Sequence, residues 1–231
     1  WYILYTFINR RRTQSNQENN VITMKRRLHK TTLLFMIAIG VISMDACRKN
    51  YDATAEDMTE YGWVLYTAGD YLSSNEWFKS SIVENDKWKD GYNGLGWSYA
   101  KLMVMDTSIA HFITGLATEE DKWLTTDVQS EILAGLVFAY HAKGIDTSVL
   151  AYGRAFIDST AKPLTPGWMF SHDSLINYLD VRITLAASYF AVGKFDSASV
   201  QVQIVLDSLN SSVIAISDTT LEGRRKMAEQ I

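Results

Sequence analysis

From Asp52 to the C-terminus, apolar residues recur at helical spacing in segments of about 12 to 16 residues, separated by short runs of Gly, Asp and Ser. No strand-like alternation persists. The pattern therefore predicts an all-α domain of short helices joined by tight turns. Only two prolines occur in the chain, Pro163 and Pro166, so helices elsewhere are free of the residue that breaks them most strongly.

The segments repeat. LGWSYAKLMVMDTSIAHFITGL from Leu95 and LAASYFAVGKFDSASVQVQIVL from Leu185 share one order: Leu, a small residue, an aromatic three places on, then small and bulky apolar residues on a second helix. Seven positions carry it. They are Tyr92, Leu95, Gly96, Tyr99, Ser108, Phe112 and Gly115 in one unit, and Arg182, Leu185, Ala186, Tyr189, Ala198, Val202 and Val205 in another. An earlier unit supplies Met58, Tyr61, Gly62, Leu65, Ser74, Phe78 and Ser81, with the turn Gly69-Asp70-Tyr71. A looser third supplies Leu133, Leu136, Val137, Tyr140, Val149, Gly153 and Phe156, with Gly144 at its turn. This pattern resembles the tetratricopeptide repeat, whose unit is about 34 residues. The resemblance implies a superhelical stack of about four helix hairpins over residues 56–231, in which small residues let paired helices approach and large ones fill the space between pairs. Leu65 to Tyr99 spans 34 residues, Tyr99 to Tyr140 41 and Tyr140 to Tyr189 49, so insertions enter at the two later junctions. The second contains both prolines and the cluster Trp168-Met169-Phe170. A polar helix from Thr219 to Ile231 is expected to cap the end.

The first part of the chain reads differently. Residues 1–23 have no periodicity and read as an upstream or disordered extension. From Met24 a basic stretch, MKRRLHK, precedes the 12-residue apolar run Leu33 to Met44 and then Asp45-Ala46-Cys47. That is the layout of a signal peptide over residues 24–46, and the run falls short of the roughly 20 residues a membrane-spanning helix needs. Cys47 is the only cysteine. Its setting resembles the lipobox of bacterial lipoproteins, which implies lipidation at Cys47, residues 47–55 as a lipid-attached tail, and an exported protein at the cell envelope. Met44 and Ala46 fit that pattern, whereas Asp45 departs from it.

Charge narrows the partners. The net charge is −4, but the first 46 residues hold 7 Lys/Arg and 2 Asp/Glu, leaving 15 basic against 24 acidic residues from Cys47 onward. A domain near −9 repels phosphate backbones, so no nucleic-acid partner is expected.

No chemistry stands out. His111, His141 and His172 lack the spacing of helical metal ligands, and neither a nucleophile elbow nor a phosphate loop occurs, so no catalytic residue, metal or cofactor is assigned. Gly91, Gly94 and Gly96 run in the wrong order for a dinucleotide fingerprint. The expected activity is non-enzymatic. In the repeat family the first helix of each pair lines a concave groove, which here selects Trp63, Tyr66, Trp97, Lys101, Phe138, His141 and Phe190 as a surface for a protein or peptide. The rings could instead pack against neighbouring pairs. Glu56, Asp90, Glu131 and Asp180 place an acid near the start of each first helix, either as a rim selecting a basic ligand or as partners of the positive helix ends. The protein is thus read as a scaffold or assembly lipoprotein, with a glycan-binding or polymer-binding lipoprotein as the alternative and an outer-membrane assembly factor as a further one. A flat row of exposed Trp63, Trp97 and Trp168 would favour sugars.

Overall fold

The computed structural model describes residues 52–119, 128–158, 167–216 and 220–231. The chain divides into two compact units, Trp1–Asp52 and Ala53–Ile231, and every element below belongs to the second. The signal-peptide and Cys47 assignments and both prolines lie outside the described residues.

Four helix pairs follow in order: α1 (Ala55–Thr67) with α2 (Tyr71–Glu84), α3 (Lys89–Lys101) with α4 (Met105–Ala117), α5 (Val128–Ala142) with α6 (Asp146–Asp158), and α7 (Tyr178–Ala191) with α8 (Phe195–Ser208). A further helix, α9 (Leu221–Gln230), follows them. Local chemistry starts several of them. Thr54 and Asp57 form a capping box on α1, Asn177 and Asp180 another on α7, Asp70 accepts from the Ser73 N–H to start α2, and Thr220 caps α9.

The turn inside each pair is built the same way four times. One residue adopts a left-handed backbone: Gly69, Met103, Gly144 and Gly193, with φ of 83°, 61°, 68° and 76°. The next N–H then reaches back to the carbonyl five residues earlier, Asp70 to Leu65, Val104 to Tyr99, Ile145 to Tyr140 and Lys194 to Tyr189, at 2.8–3.0 Å. This closes the helix end and turns the chain through a fixed angle. Three of the four positions are glycine, the residue for which that backbone is cheapest.

Packing follows the repeat positions. Phe78 and Phe112 are fully buried. A Cβ on Gly62 would sit 2.6 Å from the Phe78 ring; Gly94 approaches that ring from the next pair, while Gly96 and Gly135 close on Phe112 in the same manner. Each phenylalanine is thus notched between two first helices, and this is what spaces one pair from the next. Ser74 and Ser108 tighten their pairs by donating to the Gly62 and Gly96 carbonyls at 3.0 and 2.7 Å. In the third pair the sizes are reversed: Gly153 occupies the aromatic place and receives the Leu185 side chain of α7.

First helices touch first helices, α1 to α3 to α5 to α7, and so form an inner layer. One element departs from the all-helical expectation. Within the second insertion β1 (Met169–Phe170) and β2 (Asp173–Asn177) pair antiparallel, with Phe170 opposite Asp173 and Met169 opposite Asn177. At the other end α9 packs on α8, burying Met227 and setting Arg224 over the Phe195 ring at 4.7 Å.

Candidate functional site

The β1–β2 hairpin lies on the inner layer and covers its first half. Phe170, 1% exposed, enters a slot walled by three rings. It stacks on Trp97 at 4.2 Å between centroids and meets Trp63 and Tyr66 edge-on at 5.8 and 6.1 Å. Its neighbours are used one by one. The Ser171 N–H and hydroxyl donate to Glu131 Oε1 at 3.2 and 2.6 Å. His172 lies flat on Trp63, 3.6 Å away and 4° from parallel. Asp173 accepts from Lys101 Nζ at 3.1 Å, and that ammonium also sits 5.8 Å over the Tyr66 ring. Four consecutive residues of an inserted segment are therefore each read by a different inner-layer side chain.

Beneath the hairpin runs a polar network. Trp63 Nε1 donates to Asp90 Oδ2 at 3.0 Å, and Asn93 Nδ2 bridges Asp90 Oδ1 and Glu131 Oε2 at 3.1 and 2.7 Å. Burial is the main force on these groups. It raises both carboxyls, bringing Glu131 to about 7 with help from the charge of Asp90 and against the Ser171 and Asn93 donors. Burial likewise lowers His172 to about 4, so its ring rests neutral on Trp63 at ordinary pH. The Tyr66 hydroxyl is held far above the usual phenol range, by burial first and by Asp173 second.

Two polar atoms of the slot are left over. The Tyr66 hydroxyl and Trp97 Nε1 are buried without a hydrogen-bond partner in the protein. A buried donor left unmade costs about 1–3 kcal/mol.

The sequence-derived groove residues separate into three places. Trp63, Tyr66 and Trp97 converge on Phe170, with Lys101 clasping the hairpin beside them. Phe138, half-buried, touches the edge of this cluster through Trp97 at 6.2 Å, and His141 is exposed at the end of α5. Phe190 stands apart, edge-on to Phe195 at 5.3 Å. Trp63 and Trp97 are 5% and 3% exposed, so the flat row of open indoles that a sugar-binding face would present is not there. Of the four repeated acids, Asp90 and Glu131 form the buried network, Asp180 completes a helix cap and Glu56 is exposed. Sequence reasoning missed Asn93, Ser171, His172 and Asp173 as parts of this site. The only signal for them was the aromatic cluster at residues 168–170. Elsewhere, His111 stacks on Tyr99 at 5.5 Å, and among the described residues no three His, Cys, Asp or Glu side chains converge as a metal site. No described helix is long and apolar enough to cross a membrane.

No protein-family model and no curated protein matches the sequence. Solved structures do resemble it. The crystal structure of YrrB, described as a TPR protein with an unusual peptide-binding site, superposes with a TM-score of 0.53 at 12% identity, over 71% of this chain and 73% of that one. Cut9–Hcn1, an APC/C hetero-tetramer, gives 0.57 at 15% identity over 78% of this chain, which spans 30% of its match. At such identities the likeness speaks to architecture, and the described helix pairs have the superhelical fold of tetratricopeptide repeat proteins.

Proposed function

We propose that the protein is a non-enzymatic scaffold that holds a protein or peptide partner on the inner layer of its helix pairs, at a bacterial cell envelope, anchored by lipid on Cys47. The observation that carries the binding half of this reading is the hairpin itself. The inner layer already accommodates an extended segment, with an aromatic slot, a hydrogen-bonding carboxyl, an indole platform and a cation spaced for successive residues. YrrB, which shares the fold, is described as having a peptide-binding site, which adds to the reading. Beyond the hairpin the layer continues to Phe138 and His141 on α5 and Phe190 on α7, where a longer partner would extend. The envelope half rests on the signal-like segment before Cys47.

Each half has its own test. A photo-crosslinking residue at His141 is expected to capture one protein repeatedly from intact bacterial cells, whereas the same residue at Val83, exposed on the second helix α2, captures none. Equal capture at both positions would sink the groove reading. For the anchor, the intact mass of protein from membranes is expected to correspond to a chain starting at Cys47 plus a diacylglycerol group, lost in Cys47→Ser. A soluble, unmodified product would remove it.

A further inference from the structure

We propose that the β1–β2 hairpin is a tethered competitor, and that the slot between α1 and α3 is the site of a peptide carrying an aromatic residue with an acid three positions later. This rests on the scaffold reading above and adds what the partner looks like and what it must displace.

Three observations carry it. First, the hairpin defines the recognition chemistry by occupying it: Phe170 fills the ring-walled slot and Asp173, three residues on, meets Lys101. Second, it is an imperfect occupant. Tyr66 and Trp97 each present a buried polar atom that Phe170 cannot engage, so a ligand offering an oxygen acceptor beside its ring gains bonds that the hairpin forgoes. Third, the hairpin is not held by its own turn. Its two loop residues, Ser171 and His172, are not among the described residues with positive φ, so the turn lacks the backbone that stabilises isolated two-residue hairpins. β1 has only two residues, and the ribbon's exposed side carries Met169 and Leu175, 58% and 84% accessible. A two-stranded ribbon of this size keeps its shape only while docked. Release therefore frees a segment with little structure of its own, which favours exchange of one occupant for another.

Competition within one chain masks affinity in a calculable way: the apparent dissociation constant is the intrinsic one divided by the fraction of molecules with the slot open. The test uses the full chain and a fluorescent peptide copying residues 167–177. The unaltered protein is expected to bind it weakly. Phe170→Ala, which empties the slot from within, is expected to bind it at least about tenfold more tightly. That gain should vanish when the phenylalanine of the peptide is replaced by alanine, and should shrink several-fold when Lys101→Glu is added. Ser171→Ala combined with His172→Ala, which loosens the hairpin while leaving Phe170 to fill the slot, is expected to give a smaller gain in the same direction. Hydrogen exchange supplies an independent reading: the Ser171 amide should exchange by local opening, far faster than the central amides of α3 and α5.

The proposal is overturned if both hairpin variants, shown by circular dichroism to be folded, bind the peptide no better than the parent. It is equally overturned if Ser171 exchanges only with global unfolding, which would make the hairpin a permanent core element. In either case crosslinking at His141 still decides the scaffold reading separately. Should light scattering show the variants pairing through exchanged hairpins, the occupant is a second copy and the assignment to an external peptide fails.

Discussion

Glu131 and His172 sit on either side of Ser171's contact with the inner layer, and they titrate in opposite senses. Glu131 has its proton half-bound near pH 7 in the folded chain against 4.5 ordinarily. The folded state holds that proton more tightly, so the contribution to stability is complete below pH 4.5 and is lost as pH rises through 7. At about 1.36 kcal/mol per unit, the shift amounts to roughly 3 kcal/mol. Asp90 shifts in the same direction. His172 falls from 6.5 to about 4, so its contribution is complete above pH 6.5 and is lost as pH falls toward 4. Between pH 4.5 and 6.5 the two slopes oppose one another. Because Asp90 keeps its own raised pKa in either variant, the expected outcome of urea unfolding across that window is relative: the slope of stability against pH becomes more positive than the parent's in Glu131→Gln and more negative in His172→Asn. Identical slopes in all three proteins would show that neither group carries the linkage.

At the scale of helices and turns, the same residue type serves two purposes, and substitution separates them. Gly94 exists for contact: a methyl group there would enter the Phe78 ring, so Gly94→Ala is expected to cost about 2 kcal/mol despite alanine's better helix propensity. Met103 exists for conformation: of the four turns inside the helix pairs, its is the one whose left-handed position is not glycine, and its side chain is 76% exposed. Met103→Gly is expected to stabilise by about 1 kcal/mol. Chemical denaturation of the two variants checks both signs. These elements were legible in the sequence because a repeat must place its small and large residues at fixed spacing for neighbouring pairs to close on each other. Three of the four turns even announce themselves by glycine. The hairpin was not legible. Its strands are two and five residues long, and Ser171-His172 is not a recognised hairpin turn. The inner-face positions Trp63, Tyr66 and Trp97 could be read, but not that they are covered, because the covering residues lie in a different part of the chain. Asp90 and Glu131 read either as an acidic rim or as helix-end acids, and neither reading contained the network that Asn93 and Ser171, neither in a repeat position, close around them.

Across the whole repeat domain the packing is uneven. One apolar cluster runs from Trp63 on α1 through Phe170 to Leu185 on α7, so the hairpin ties together pairs that a simple stack would join only neighbour to neighbour. A second, smaller cluster holds Ala186, Val202 and Ala215, supported by Ile183, Leu206 and Ile231. Unfolding should reflect this division. Amides of α8 and α9 are expected to exchange at a lower free energy than those of α3 and α5, and in urea helix content should begin to fall before the fluorescence of the buried indoles changes. A single transition with uniform protection would mean that the last pair is fully coupled to the rest.

The span of the hairpin's clasp also sets a clock. Lys101 and its partner Asp173 are 72 residues apart in the chain. At about 5 to 20 residues per second of synthesis, roughly 4 to 14 seconds pass between the appearance of one and the other. For that interval Trp63, Tyr66 and Trp97 have been made while the residues that cover them have not. The order of synthesis alone thus places the walls of the slot ahead of their cover, and in a chain that folds from its N-terminal side the slot would be presented open to a chaperone or partner before the hairpin arrives.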